Sequence, residues 1–163
     1  MTIEVRSFEP DDSEAVHDLL AAAFSGDTEA RLVERLRADG DVLLELVAVE
    51  VGDAVGHVCF SKLVSPAGYV ALAPVAVRPD AQRRGIGSAL IHRGIETIEE
   101  RGFDGIVLLG DPAYYRRFGF RVDAAEPLES EYPKAYLQAL HFPQAVPFTT
   151  GTPLTYAAAF GSI

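Results

Sequence analysis

Val75-Ala76-Val77-Arg78-Pro79-Asp80-Ala81-Gln82-Arg83-Arg84-Gly85-Ile86-Gly87-Ser88-Ala89-Leu90 is the stretch whose reading decides the fold. The apolar run Val70 to Val77 reads as a strand buried on both faces, as in the middle of a sheet. Pro74 sits inside it. Proline lacks a ladder donor, so a central strand tolerates it only at a bulge, which splays the strand from a neighbour and frees backbone groups. After the loop Arg78 to Arg84, a helix runs to about Arg101, with Ile86, Leu90, Ile91, Ile95 and Ile98 on one face, Gly94 on the same side and Gly102 as its stop. Gly85 and Gly87 let the backbone turn tightly and approach a ligand, and the amides of a helix start favour phosphate. Arg83 and Arg84 add positive charge there. Leu90 stands where a dinucleotide fingerprint needs its third glycine, and no G-x-x-x-x-G-K-[ST] phosphate loop is present.

Upstream, Ile3 to Ser7 reads as a short strand and Pro10 as the first turn of a helix that buries Val16, Leu19, Leu20, Ala23 and Phe24. Asp27 caps a second helix with Leu32, Val33 and Leu36 inward and Gly40 as stop. Leu43 to Glu50 and Ala54 to Leu63 form a hairpin around Val51-Gly52-Asp53. Downstream come a buried strand, Ile106 to Leu109, and a short helix that Asp111-Pro112 opens and that continues through about Phe118. Phe120 to Asp123 is expected as a strand, and Ala135 to Phe142 and Gly151 to Ala157 as two more. This order predicts a mixed α/β sheet with a right-handed crossover through the third helix.

With 163 residues, no repeat and no linker-like stretch, the chain reads as one domain, residues 1–163. The longest apolar run is far short of the ~20 residues of a membrane helix. The first residues carry no basic-then-apolar export pattern, and Cys59, the single cysteine, permits no internal disulfide. A soluble cytoplasmic protein without membrane contact is expected. The net charge is −10, and all of it falls on residues 1–60. That argues against nucleic acid as partner, since phosphate contacts dominate such binding, and suits either solubility or a cationic substrate.

The stretch from Val75 to Leu90 resembles the acetyl-CoA motif of the GCN5-related N-acetyltransferases (GNAT), Q/R-x-x-G-x-G/A after a V-x-P strand end. Tyr115-Arg116-Arg117-Phe118-Gly119-Phe120 is similar to the Y-x-x-x-G-F of the same superfamily, and Leu109 to Tyr115 looks closest to the YhbS-like acetyltransferases. The resemblance implies a single-domain α/β fold: a mixed, mostly antiparallel sheet with a splayed parallel central strand pair, flanked by helices. It implies acetyl-CoA as cosubstrate without a metal, and a small-molecule or peptide amine as acceptor. Homodimers are common in proteins resembling this one. The backbone of Val75, Ala76 and Val77 would line the acetyl-pantetheine arm, with the Val77 amide polarising the thioester carbonyl. Arg83, Arg84, Gly85, Ile86, Gly87 and Ser88 would cradle the pyrophosphate. Tyr115 would be the acid that protonates the leaving thiolate.

Two positions depart from the pattern. Asp111-Pro112 stands where many relatives carry asparagine, and Leu72, Ala73 and Pro74 offer no glutamate base. The missing base matters, because an alkyl ammonium with a pKa near 10.4 is neutral about once in 2,500 at pH 7, a cost of roughly 4.6 kcal/mol. Glu45 and His57 are candidate bases acting through water. The implied activity is direct acetyl transfer to an amine. The alternative is a non-catalytic acyl-CoA-binding sensor, which needs neither acid nor base. His17, His92 and His141 show no metal-ligand spacing, and Cys59 reads as a small buried apolar residue. The resemblance implies that Phe24, Ser25 and Gly26, between the first two helices, border the acceptor pocket.

Overall fold

The computed structural model describes residues 2–162. Strand β1 (Glu4–Ser7) is followed by a 3-10 turn and helices α1 (Ser13–Phe24) and α2 (Thr28–Asp39). A meander of β2 (Val42–Glu50), β3 (Asp53–Ser65) and β4 (Tyr69–Val77) comes next, then α3 (Ile86–Glu100) and β5 (Gly105–Leu109). The C-terminal part holds α4 (Pro112–Tyr115), α5 (Val122–Ala125), β6 (Leu128–Glu129), β7 (Leu137–His141), β8 (Thr152–Pro153) and β9 (Thr155–Tyr156). The main sheet runs β1-β2-β3-β4-β5-β7, with β9 added to β3. All its pairings are antiparallel except β4 with β5, which α3 connects as a crossover.

The alternation of each strand sends apolar side chains to both faces, and each face is covered. On one side Phe60, Leu72, Ile106 and Leu108 pack with Ile86, Leu90, Ile91 and Ile98 of α3. On the other, Val47, Cys59 and Ala76 meet Val16 and Leu20 of α1 and Val33 and Leu36 of α2. Gly94 sets how closely α3 lies on the sheet, since a Cβ there would fall 2.2 Å from the Phe60 ring. That contact fixes the helix axis, and with it the place of its N-terminus.

Three expectations need correction. Phe120 to Asp123 is not a strand: only Arg121 bridges β7, at Ala139, before α5 begins at Val122. Phe120 is buried among the α3-side core residues and Ala125 among those under β7, so the segment turns to bury both rather than extend. Gly151 to Ala157 is divided into β8, paired with β6, and β9, paired with β3. Leu154 alone separates the two strands. Ala135 to Phe142 shortens to β7.

Candidate active site

The site begins where two strands part. β4 and β5 pair in parallel only from Tyr69/Gly105 to Ala71/Val107. Beyond that point β4 stays with β3 and β5 stays with β7. The register of β3 against β4 jumps from Phe60/Leu72 to Val58/Val75, so Ala73 and Pro74 together oppose Cys59 alone. This is the bulge that a proline inside a buried strand requires. From Leu72 to Val77, β4 has no strand partner on its β5 side among the described residues.

Which backbone groups face that gap follows from two hydrogen bonds. Arg78 N–H donates to Val55 O on β3 at 2.8 Å, while the Gln82 side-chain amide donates to Val77 O at 3.2 Å. Backbone groups alternate between the two edges of a strand, so Val77 turns its N–H and C=O away from β3. Its amide is aimed into the gap.

The start of α3 lies beside it. Arg83 (φ 65°) and Gly85 (φ 80°) are both left-handed, which coils the loop before the helix. Ala89 N–H is the first to reach back, to Gly85 O at 3.0 Å, leaving the amides of Ile86, Gly87 and Ser88 without helical acceptors. No atom lies within 4 Å of a Cβ placed on Gly85, so the turn opens outward. At Gly87 such a Cβ would meet Tyr114 Oη at 3.3 Å and Val77 Cγ2 at 3.6 Å. The end of β4, the first turn of α3 and α4 thus converge on one glycine. The positive charge expected from Arg84 is largely spent: its guanidinium makes a two-point pair with Glu50, NH1 lying 3.0 Å from Oε1. Arg83 is exposed, and no hydrogen bond or ion pair holds it among the described residues.

Tyr115 ends α4 and lines the cavity. Asp111 opens α4 by accepting from Ala113 N–H at 2.9 Å. The Tyr115 ring lies across Gly110 and edge-on to Tyr114 and Phe120. Burial, with a contribution from Tyr114, pushes its hydroxyl up to about 12. Gly110 is itself clamped, its N–H on Tyr136 O at 3.0 Å and its C=O accepting from the buried Gln138 side chain at 2.9 Å. Sequence reasoning missed Gln138, because only the β5–β7 pairing brings it next to Gly110.

Between these walls lies a cavity of about 410 Å³. Ala73, Pro74 and Val75 line it from β4, Tyr115 from α4, Phe24 from the end of α1, and Glu29 and Leu32 from α2. Tyr132, Tyr156 and Phe160 close it from the C-terminal part. Glu29 was not singled out in the sequence, where it reads as an ordinary first-turn helix acid.

The two candidate bases are elsewhere. Glu45 Oε2 accepts from His57 Nε2–H at 2.6 Å, and Arg37 grips the same carboxylate at 2.6 and 3.0 Å. Neither residue borders the cavity. Burial alone would raise the Glu45 carboxyl, yet the hydrogen bonds from His57 and Arg37 outweigh it and hold the group below its ordinary value. The pair joins β2 to β3 under α2, and the expectation that either residue serves as base is set aside. Cys59 is fully buried in the α1/α2 core, and burial pushes its thiol far above the usual range, so it carries no nucleophile. Among the described residues, no cluster of three or more His, Cys, Asp or Glu is arranged to hold a metal ion, and no helix is long and apolar enough to cross a membrane.

A sheet split at a bulged strand, with free helix amides at the mouth of the split, makes an opening suited to an extended ligand that ends in phosphate. Residues 10–120 match the Acetyltransferase (GNAT) family, and the chain belongs to it. It is 38% identical over 129 residues to the uncharacterized N-acetyltransferase YhbS of Escherichia coli strain K12, covering 76% of this chain and 77% of that one. The crystal structure of E. coli YhbS in complex with CoA superposes with a TM-score of 0.90 at 32% identity, over 98% of this chain and 92% of that one. A GNAT acetyltransferase from Brucella melitensis in complex with acetyl-CoA gives 0.83 at 35% identity, over 98% of both chains.

Proposed function

We propose that this protein moves an acetyl group from acetyl-CoA directly to the primary amine of a small-molecule or peptide acceptor. One observation carries the reading: the unpaired edge of β4 at Val75 to Val77 faces the same opening as the free amides of α3, with Tyr115 across the cavity. Bound acetyl-CoA supplies an activated acyl carbon and a thiolate leaving group. The amides of Gly85 to Ser88 hold its diphosphate, where the helix dipole favours negative charge. The Gly85 turn leaves space for it. Backbone of Val75, Ala76 and Val77 lines the pantetheine arm, and the Val77 N–H stabilises negative charge on the acyl oxygen. Tyr115, kept protonated by burial, delivers its proton toward the sulfur.

Tyr115→Phe tests this. Acetyl-CoA affinity by calorimetry is expected to hold within about threefold, while thiol release with an amine falls by about 10² or more. Unchanged turnover would overturn the role of Tyr115. CoA binding without amine-dependent thiol release from the unaltered protein would leave the sensor reading instead.

A further inference from the structure

We propose that the acceptor is a small primary amine on an aromatic or otherwise apolar body, and that Glu29 receives its ammonium and takes its proton. The inference rests on the transferase reading and goes beyond it by naming the acceptor class and the base. Glu29 lies in the first turn of α2 and is half-buried. Among the described residues it is the only carboxylate bordering the cavity, and no cationic side chain among them borders it. No hydrogen bond or ion pair within the described residues engages the Glu29 carboxylate, although the neighbouring acids of α2 find partners: Asp27 pairs with Arg31 at 2.8 Å and Asp39 with Arg35 at 3.0 Å. A lone negative charge in an apolar cavity calls for a single positive charge from the ligand.

The rest of the wall describes the body of that ligand. Tyr132 stands edge-on to Tyr156 at 5.5 Å, and Tyr156 leans on Phe160 at 4.8 Å, while Phe24 and Leu32 line the same cavity from α1 and α2. Such a surface gains by covering an aromatic or aliphatic group, and among the described residues it presents no second carboxylate to pair with a second ammonium. A volume of about 410 Å³ is near the lower end for small-ligand pockets, which suits a compact molecule better than a polyamine or a peptide.

The position also supplies the missing base. The ammonium gives a proton to the Glu29 carboxylate, and the freed nitrogen lone pair bonds the acyl carbon. The carbon–sulfur bond breaks, and the thiolate takes the Tyr115 proton. The nitrogen loses its second proton as the amide forms, and that proton restores the Tyr115 phenolate, while Glu29 returns its own proton to water.

The test compares the intact protein with Glu29→Gln in thiol release from acetyl-CoA, using 2-phenylethylamine, spermidine and a lysine-containing peptide. For the unaltered protein kcat/KM is expected to be highest with 2-phenylethylamine and level from pH 6 to 9. In Glu29→Gln only the free amine reacts, so kcat/KM is lower by about 10² at pH 7 and climbs about tenfold per pH unit toward the amine pKa near 10.4. CoA affinity and the melting temperature stay unchanged, which separates this effect from misfolding. An identical pH profile in the variant, or preference for spermidine or the peptide, overturns the proposal while leaving the transferase reading intact. CoA binding without thiol release for any amine would overturn both.

Discussion

The Tyr115 ring rests on Gly110 so closely that a Cβ at position 110 would fall 2.4 Å from Tyr115 Cε2. The loop glycine before α4 is therefore what admits the tyrosine to the cavity wall. Gly110→Ala is expected to push the ring aside and lower kcat by at least about tenfold, since small displacements of reacting groups cost that much and more. Stopped-assay kinetics of thiol release, beside calorimetry showing intact CoA binding, would check it. Equal turnover would mean the hydroxyl is not placed by this contact.

Gly85 combines a left-handed backbone with open space where a side chain would go. Gly85→Ala meets only the conformational cost, roughly 1 kcal/mol. Gly85→Asp adds a negative charge among the amides assigned to the diphosphate. CoA affinity, read by calorimetry, is expected to weaken by about tenfold for alanine and by more than about 10² for aspartate. Two equal losses would place the diphosphate elsewhere.

The raised Tyr115 hydroxyl has a direct consequence for pH dependence. Its folded-state pKa of about 12 lies above the ordinary 10.0, so the proton-bearing form persists well past neutrality. Turnover is expected to show no descending limb between pH 7 and 10. A fall centred below pH 10 in initial-rate measurements would show that this phenol is not the acid in the reaction.

Glu45 governs acid stability rather than chemistry. A carboxyl held below its unfolded value of 4.5 stabilises the fold above that value and loses the contribution as pH falls through the folded value. The melting temperature is therefore expected to decline below about pH 5. Glu45→Gln leaves Arg37 and His57 without their buried anion and costs about 3 kcal/mol at pH 7, with the gap closing in acid. Denaturant titrations at pH 7 and pH 4 measure both, and kcat per folded molecule should match the unaltered protein.

Much of this site is local in origin, and the local part is readable. Pro74 forbids a continuous ladder wherever the strand lies, and Gly85 before an apolar helical stripe makes a turn with exposed amides in any fold that contains it. Asp111-Pro112 opens α4 through contacts within three residues. By contrast, Phe120 to Asp123 has the alternation of a strand and is instead drawn around β7, because burying Phe120 and Ala125 on different sides outweighs local preference.

What the amino-acid order alone determined was the half we assign to the cofactor: a broken strand, a glycine turn and a tyrosine at fixed spacing, each an effect of backbone chemistry over a few residues. The half we assign to the acceptor was decided in three dimensions. Glu45 and His57 look available in one dimension and are consumed by each other and by Arg37, whereas Glu29 looks like a solvated helix acid and faces the cavity beside Pro74. Whether a charged side chain is free or engaged depends on which distant strand or helix lies against it, and that is a property of packing.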